Sequence, residues 1–239
     1  MGTISYLLLF GSVLLSGLLA MRMKSINPLW LKLLLAFSGA YLFAMCVLHL
    51  IPETYQSGSS RIGLFILAGF ILQLLLEFFS EGIEHGHVHI HSNHRHAFPF
   101  MMIFSLSLHS FLEGMPLGES RAGAVVQNSL LTGIILHHVP VAMALATMLT
   151  GSHVRRSTTV FCILLFAAMA PLGALTSVAL GGNKSWLLAE YYNEIMALVI
   201  GIFLHISTTI LFESTEDHRF NYYRFAAILT GALAAIIIL

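Results

Sequence analysis

Eight apolar stretches, each long enough to cross a bilayer, fix what this chain can fold into. They lie near 4–21, 31–52, 62–80, 99–119, 125–149, 158–180, 192–213 and 222–239. A helix needs about 17–25 predominantly apolar residues to cross the hydrocarbon layer. A backbone in lipid must satisfy its own polar groups, which leaves helices and closed barrels. The stretches show no alternation of period two, so strands are not expected. Turn chemistry separates them, at Ile26-Asn27-Pro28, Ser57-Gly58-Ser59-Ser60, Thr150-Gly151-Ser152 and Gly181-Gly182-Asn183. The expectation is an all-α integral membrane protein, a single transmembrane domain over 1–239 with eight transmembrane helices.

Composition agrees. Only 9% of the 239 residues are charged and 57% are hydrophobic, too few charges to cover a soluble globule of this size. That excludes a disordered chain, a secreted disulfide scaffold and a nucleic-acid binder with a basic surface. The bilayer is the expected partner, and nucleic acid is not. Cys46 and Cys162 sit inside apolar runs and read as small core residues. No Lys or Arg precedes the first run, while Arg22 and Lys24 follow it. It is expected to be a retained helix with its N-terminus outside. The odd connections carry Arg22, Lys24, Lys32, Arg95, Arg155, Arg156, Arg219 and Arg224, and the even ones Arg61, Arg121 and Lys184. Positive charge concentrates on the cytoplasmic side. A multi-pass protein of the plasma (inner) membrane is expected, with the odd connections cytoplasmic and both termini outside.

The 13 histidines outnumber the 11 lysines and arginines. Six of them, His85, His87, His89, His91, His94 and His96, fall in the connection 81–98, which reads EHGHVHIHSNHRH from Glu84 to His96. Alternating imidazoles in a loop suit weak, exchangeable binding of zinc, copper or nickel. A solvated linker and a pH sensor are the plainer readings. The charge bias places this loop in the cytoplasm, where it would receive or sense metal after passage.

Ionisable residues at membrane depth are costly and mark function by default. Span 4 carries His109 and Glu113 at i,i+4, on one helix face, with Ser110 beside them. An imidazole and a carboxylate on adjacent turns can hold one divalent ion jointly. Pro116 frees the carbonyl of Leu112 and is expected to kink the helix there. Span 5 carries His137-His138-Val139-Pro140. Successive residues point about 100° apart on a helix, so both histidines cannot face one point closely. His49 and Glu53 form an outer i,i+4 pair in span 2, either a waypoint or an ordinary interfacial group. His205 stands alone in span 7, as a path residue or a satisfied core histidine. Gln73 and Glu77, i,i+4 on span 3, line an inner exit or pair with neighbours. Glu213, Glu216, Asp217 and His218 read as solvated.

These residues resemble a known family. His109-Ser-Phe-Leu-Glu113-Gly114 is similar to the fourth-helix H-[NS]-x-x-[ED]-G motif of the ZIP (ZRT/IRT-like) metal transporters. His137-His138-Val139-Pro140 resembles their fifth-helix pattern, His-Glu-x-Pro-His in typical members, and His49-Leu-Ile-Pro52-Glu53 their second-helix H-L-x-P-[ED]. The resemblance implies a 3+2+3 arrangement in which spans 1–3 and 6–8 surround spans 4 and 5, with inverted-repeat halves. It implies import of a divalent cation, with His109 and Glu113 as primary ligands and Ser110, His137 and His138 contributing. Two positions depart from the pattern. His138 stands where many members have a carboxylate, and Val141 where the last fifth-helix ligand would be. More imidazole and less carboxylate favours zinc, with nickel, cobalt and copper behind it, over manganese and magnesium; iron, cadmium and manganese stay open as cargo.

The sequence reading is therefore a divalent metal importer, zinc first, and not an enzyme; a homodimer is one assembly open to it. Imidazoles bind metal only when neutral, so uptake should weaken as pH falls through about 6.5. Three other readings compete. An intramembrane zinc hydrolase would use Glu113 as general base, but the chain has no H-E-x-x-H. A bis-histidine haem protein would show a Soret band. A non-transporting sensor would depend on the histidine loop.

Overall fold

A computed structural model describes residues 2–23, 26–56, 59–80, 99–118, 123–181, 191–212 and 221–238. Among them no strand occurs. Helix α1 (Thr3–Arg22) is followed by α2 (Pro28–Met45), which runs through a π-helical turn (Cys46–Leu50) into α3 (Ile51–Tyr55). Then come α4 (Ile62–Ser80) and α5 (Phe100–Gly114), the latter passing into a 3-10 turn (Met115–Gly118). The chain continues with α6 (Ala124–Gly151), α7 (Arg156–Gly181), α8 (Tyr192–Phe212) and α9 (Tyr222–Ile238). Seven helical stretches among the described residues are long and apolar enough to cross a membrane, counting α2 through α3 as one and the 3-10 turn with α5. The eighth expected span is present as α9, apolar but shorter at 17 residues. The histidine-rich connection 81–98 lies outside the described residues, as do Glu213, Glu216, Asp217 and His218.

Local chemistry sets the helix ends. Asn27 caps α2, its Oδ1 accepting the Leu29 N–H at 2.9 Å, and Pro28 supplies a preset first turn. Pro52 brings no N–H to the helix, and a widened π turn precedes it. The kink expected at Pro116 takes the form of a change of helix type, α to 3-10, one residue after Gly114. Pro140 and Pro171 lie inside helices that continue through them.

Packing divides the helices into two groups. α1, α5, α6 and α7 pack mainly on one another, through α1 on α6, α5 on α7 and α1 on α7. α2, α4, α8 and α9 do the same, through α4 on α8, α2 on α9 and α2 on α8. Glycines allow the closest approaches. A β-carbon on Gly114 of α5 would collide with the carbonyl oxygen of Ala170 on α7, and one on Gly173 of α7 with that of Phe111 on α5. Gly69 of α4 and Gly201 of α8 face the carbonyls of Leu198 and Ile66 in the same reciprocal way. Small residues let membrane helices reach backbone contact where lipid offers no hydrophobic drive.

Two large apolar clusters and one small one, Ala20, Ala146 and Ile163, fill the interior among the described residues. The first large cluster includes Leu42, Leu50, Leu117, Ile134 and Phe203, the second Leu106, Val141, Leu145, Phe166 and Ile206. From Leu106 on α5 to Leu117 in the 3-10 turn the chain passes from the second cluster to the first, and on α6 the stretch from Ile134 to Val141 passes the other way. Both intervals hold the polar residues singled out above. Large apolar side chains such as Ile4, Leu15, Phe78, Phe104, Phe161 and Ile237 are exposed, as a surface solvated by lipid requires.

Candidate metal site

Glu113 lies at the centre of a buried polar cluster between α5 and α6. Its Oε2 is 2.6 Å from Nε2 of His138, and its Oε1 is 3.3 Å from Nε2 of His109. Facing ligand atoms of His109, Glu113 and His138 all fall within 4.8 Å of one another. None of the three residues is more than 1% exposed. The i,i+4 spacing on α5 puts His109 and Glu113 on one face, and α6 supplies His138 from the other side. Zinc bonds of about 2.0–2.2 Å to nitrogen and oxygen place neighbouring ligand atoms of a tetrahedral ion about 3.3 Å apart. His109 and Glu113 already have that separation. The His138–Glu113 pair is shorter and would open to admit an ion, which would replace its hydrogen bond.

The structure separates the two adjacent histidines, as the helical period requires. His137 is fully buried, and neither ring nitrogen has a hydrogen-bond partner among the described residues. Its ring centre is 6.1 Å from that of His109 and 6.0 Å from that of His138. It adjoins the tight cluster without joining it. Ser110 is likewise buried with its hydroxyl unpartnered. Unpaired polar atoms are rare in buried positions, and each calls for an explanation.

A second line of polar residues leads away along α4. Gln73, fully buried, meets Nδ1 of His109 through its Oε1 at 3.0 Å. One turn on, Glu77 Oε2 is 3.4 Å from Nε2 of His205, whose ring packs edge-on against Phe70 with centres 4.8 Å apart. His205 is thus paired rather than alone. His49, in the π turn, is half-buried and Glu53 is exposed; neither belongs to the tight cluster. Two contributors gave no sequence signal. Phe166 of α7 packs its ring 5.3 Å from that of His138, and Ser105 of α5 donates to the Leu76 carbonyl of α4 at 2.6 Å. A phenylalanine or a serine in an apolar run looks like any other.

The chain is similar to known proteins. A family model described as ZIP zinc transporter matches residues 95–239. Human zinc transporter ZIP1 is 26% identical over 220 residues, covering 74% of this chain and 68% of the human protein. The bovine and mouse ZIP1 zinc transporters are each 32% identical over 107 residues, 45% of this chain but only 33% of theirs. The family match takes in α5 to α9, and so every residue of the buried His/Glu cluster. With its apolar helices and that cluster at their centre, this multi-pass integral membrane protein belongs to the ZIP zinc transporter family.

Proposed function

We propose that the chain carries a divalent cation, zinc first, into the cytoplasm, and that the ion binds between α5 and α6 on His109, Glu113 and His138. The observation that carries this reading is the convergence of three ligand atoms within 4.8 Å in a place closed to solvent. A partly dehydrated cation exchanges its water for these groups, with His137 and Ser110 completing its coordination as it enters or leaves. One carboxylate offsets half the charge of a divalent ion, so the site holds one ion at a time. Val141, where a further family ligand would stand, is 1% exposed and packed in the apolar core. Imidazole-rich coordination favours zinc, and after it cadmium, cobalt, nickel, copper and iron, over manganese. The hydrolase reading falls away with membership of a family of transporters.

Passage requires the site to face each side in turn. The 3+2+3 arrangement with inverted-repeat halves is supported by the way contacts pair. α1 on α6 is matched by α7 on α5, and α2 on α9 by α8 on α4. Rocking of the α1/α5/α6/α7 group against the other would expose the site inward, where Glu77 and His205 continue the path and the loop 81–98 receives the metal. His49 and Glu53 serve the outer approach. This orientation, with both termini outside in a plasma membrane, rests on the distribution of Lys and Arg. Zinc uptake into proteoliposomes tests the reading: His109→Ala and Glu113→Ala should abolish flux, and undiminished flux in either would sink the assignment.

A further inference from the structure

Gln73 has no place among the metal ligands, yet it is an uncharged polar side chain buried completely in a lipid-solvated fold. An amide at that depth is costly unless hydrogen-bonded. Its Oε1 lies 3.0 Å from Nδ1 of His109, and a carboxamide oxygen can only accept. With the oxygen end of the amide facing the ring, Nδ1 of His109 is the atom that donates. That leaves Nε2 as the lone-pair nitrogen, and Nε2 is the atom facing Glu113 Oε1 at 3.3 Å. The two nitrogens of one ring are thereby given two roles, one turned to α4 and the other to the cluster. A metal-binding imidazole needs such a partner on its far nitrogen, which fixes the tautomer, sets the ring plane and raises basicity.

We propose that Gln73 is a positioning residue for the metal-binding step. It holds His109 in the Nδ1–H tautomer with Nε2 directed at the ion, and so raises affinity without touching the metal. This rests on the ligand assignment proposed above. A purely structural role as a strap between α4 and α5 is already filled, because Ser105 ties α5 to the Leu76 carbonyl one turn away at 2.6 Å. Gln73 belongs to the helix group opposite the ligands, so the bond orients His109 in the arrangement seen here and is released when the groups move. Its loss should raise the KM for zinc more than it lowers the maximal rate.

The experiment is zinc and cobalt binding to the purified full-length protein in nanodiscs, with KM from proteoliposomes. Gln73→Met keeps shape and removes the acceptor. Gln73→Glu keeps an oxygen acceptor and removes the amide N–H donors. Gln73→Met is expected to weaken zinc binding about 10–100-fold, the range for losing a ligand's hydrogen-bond partner, and to shift the cobalt visible spectrum. Gln73→Glu should hold affinity near the wild-type value. Equal loss in both variants, or none in either, overturns the proposal. Nitrogen-15 spectra of the histidines in unaltered, zinc-loaded protein, assigned with His109→Ala, give a reading that needs no Gln73 variant to fold. Nδ1–H on His109 is expected, and Nε2–H there would overturn the assignment. If His109→Ala binds zinc like the wild type, it is the ligand reading that fails; if His109→Ala loses zinc and Gln73→Met does not, only the role of Gln73 does.

Discussion

At the scale of single residues the site depends on one charge. Glu113 is the carboxylate on which both His109 and His138 converge, so Glu113→Gln removes the charge while keeping the shape. Losing a ligand's partner costs about 10–100-fold in metal affinity; losing the proposed charged ligand itself should exceed 100-fold, measured as zinc dissociation from purified protein. His138 sets the character of the site in a different way. His138→Glu replaces a borderline-soft nitrogen with a hard oxygen. The ratio of manganese to zinc uptake should rise about tenfold, equivalent to about 1.4 kcal/mol, in a competition assay; an unchanged ratio would show that selectivity lies elsewhere. Sequence alone made His109 and Glu113 legible, because helical spacing puts them on one face and lipid makes such residues expensive. It could not say which of His137 and His138 meets Glu113, since the rotation of α6 about its axis is set by packing on α1 and α2. Nor could it pair Gln73 with His109, a contact between residues 36 apart in the chain.

At the scale of elements, each helix was legible from its apolar run, while the way helices meet was not. Gly114 is part of a recognisable motif, but its reason is a neighbour: the backbone of α7 passes where a side chain would be. Gly173 has the same role in reverse, and nothing in its apolar run sets it apart from other glycines. Gly114→Ala should therefore force α5 and α7 apart directly beside Glu113. Overpacking typically costs about 1–3 kcal/mol, and a backbone collision belongs at the upper end. Thermal unfolding in detergent should shift down clearly, with zinc uptake falling alongside. Gly11→Ala, where a β-carbon meets nothing within 4 Å, should leave both unchanged. If both variants melt alike, close approach of α5 and α7 is not what Gly114 provides.

At the scale of the whole molecule, the proposed ligands and their supports stand on opposite sides of one division. His109, Glu113, His137 and His138 belong to α5 and α6, in the first helix group; Gln73, Glu77 and His205 belong to α4 and α8, in the second. A transporter that rocks along this division carries its ion with one group and lets the other define where it is released. Links across the division should then block flux, and links within a group should not. Gly39 of α2 and Ile210 of α8 lie in the same group, and a β-carbon on Gly39 would be 3.2 Å from Ile210 Cβ, near the roughly 3.5–4.5 Å of a disulfide. Across the division the Ser105 hydroxyl donates to the backbone carbonyl of Leu76 at 2.6 Å, which brings the two positions close. With Cys46 and Cys162 replaced by alanine, the Gly39→Cys/Ile210→Cys pair should oxidise without loss of zinc uptake. The Ser105→Cys/Leu76→Cys pair, bridged by a short bifunctional thiol reagent, should lose uptake in proportion to cross-linking while still binding zinc. Equal flux with both bridges in place would mean that the two groups do not move as units, and that the ion leaves by a route opened within the α5–α6 pair itself.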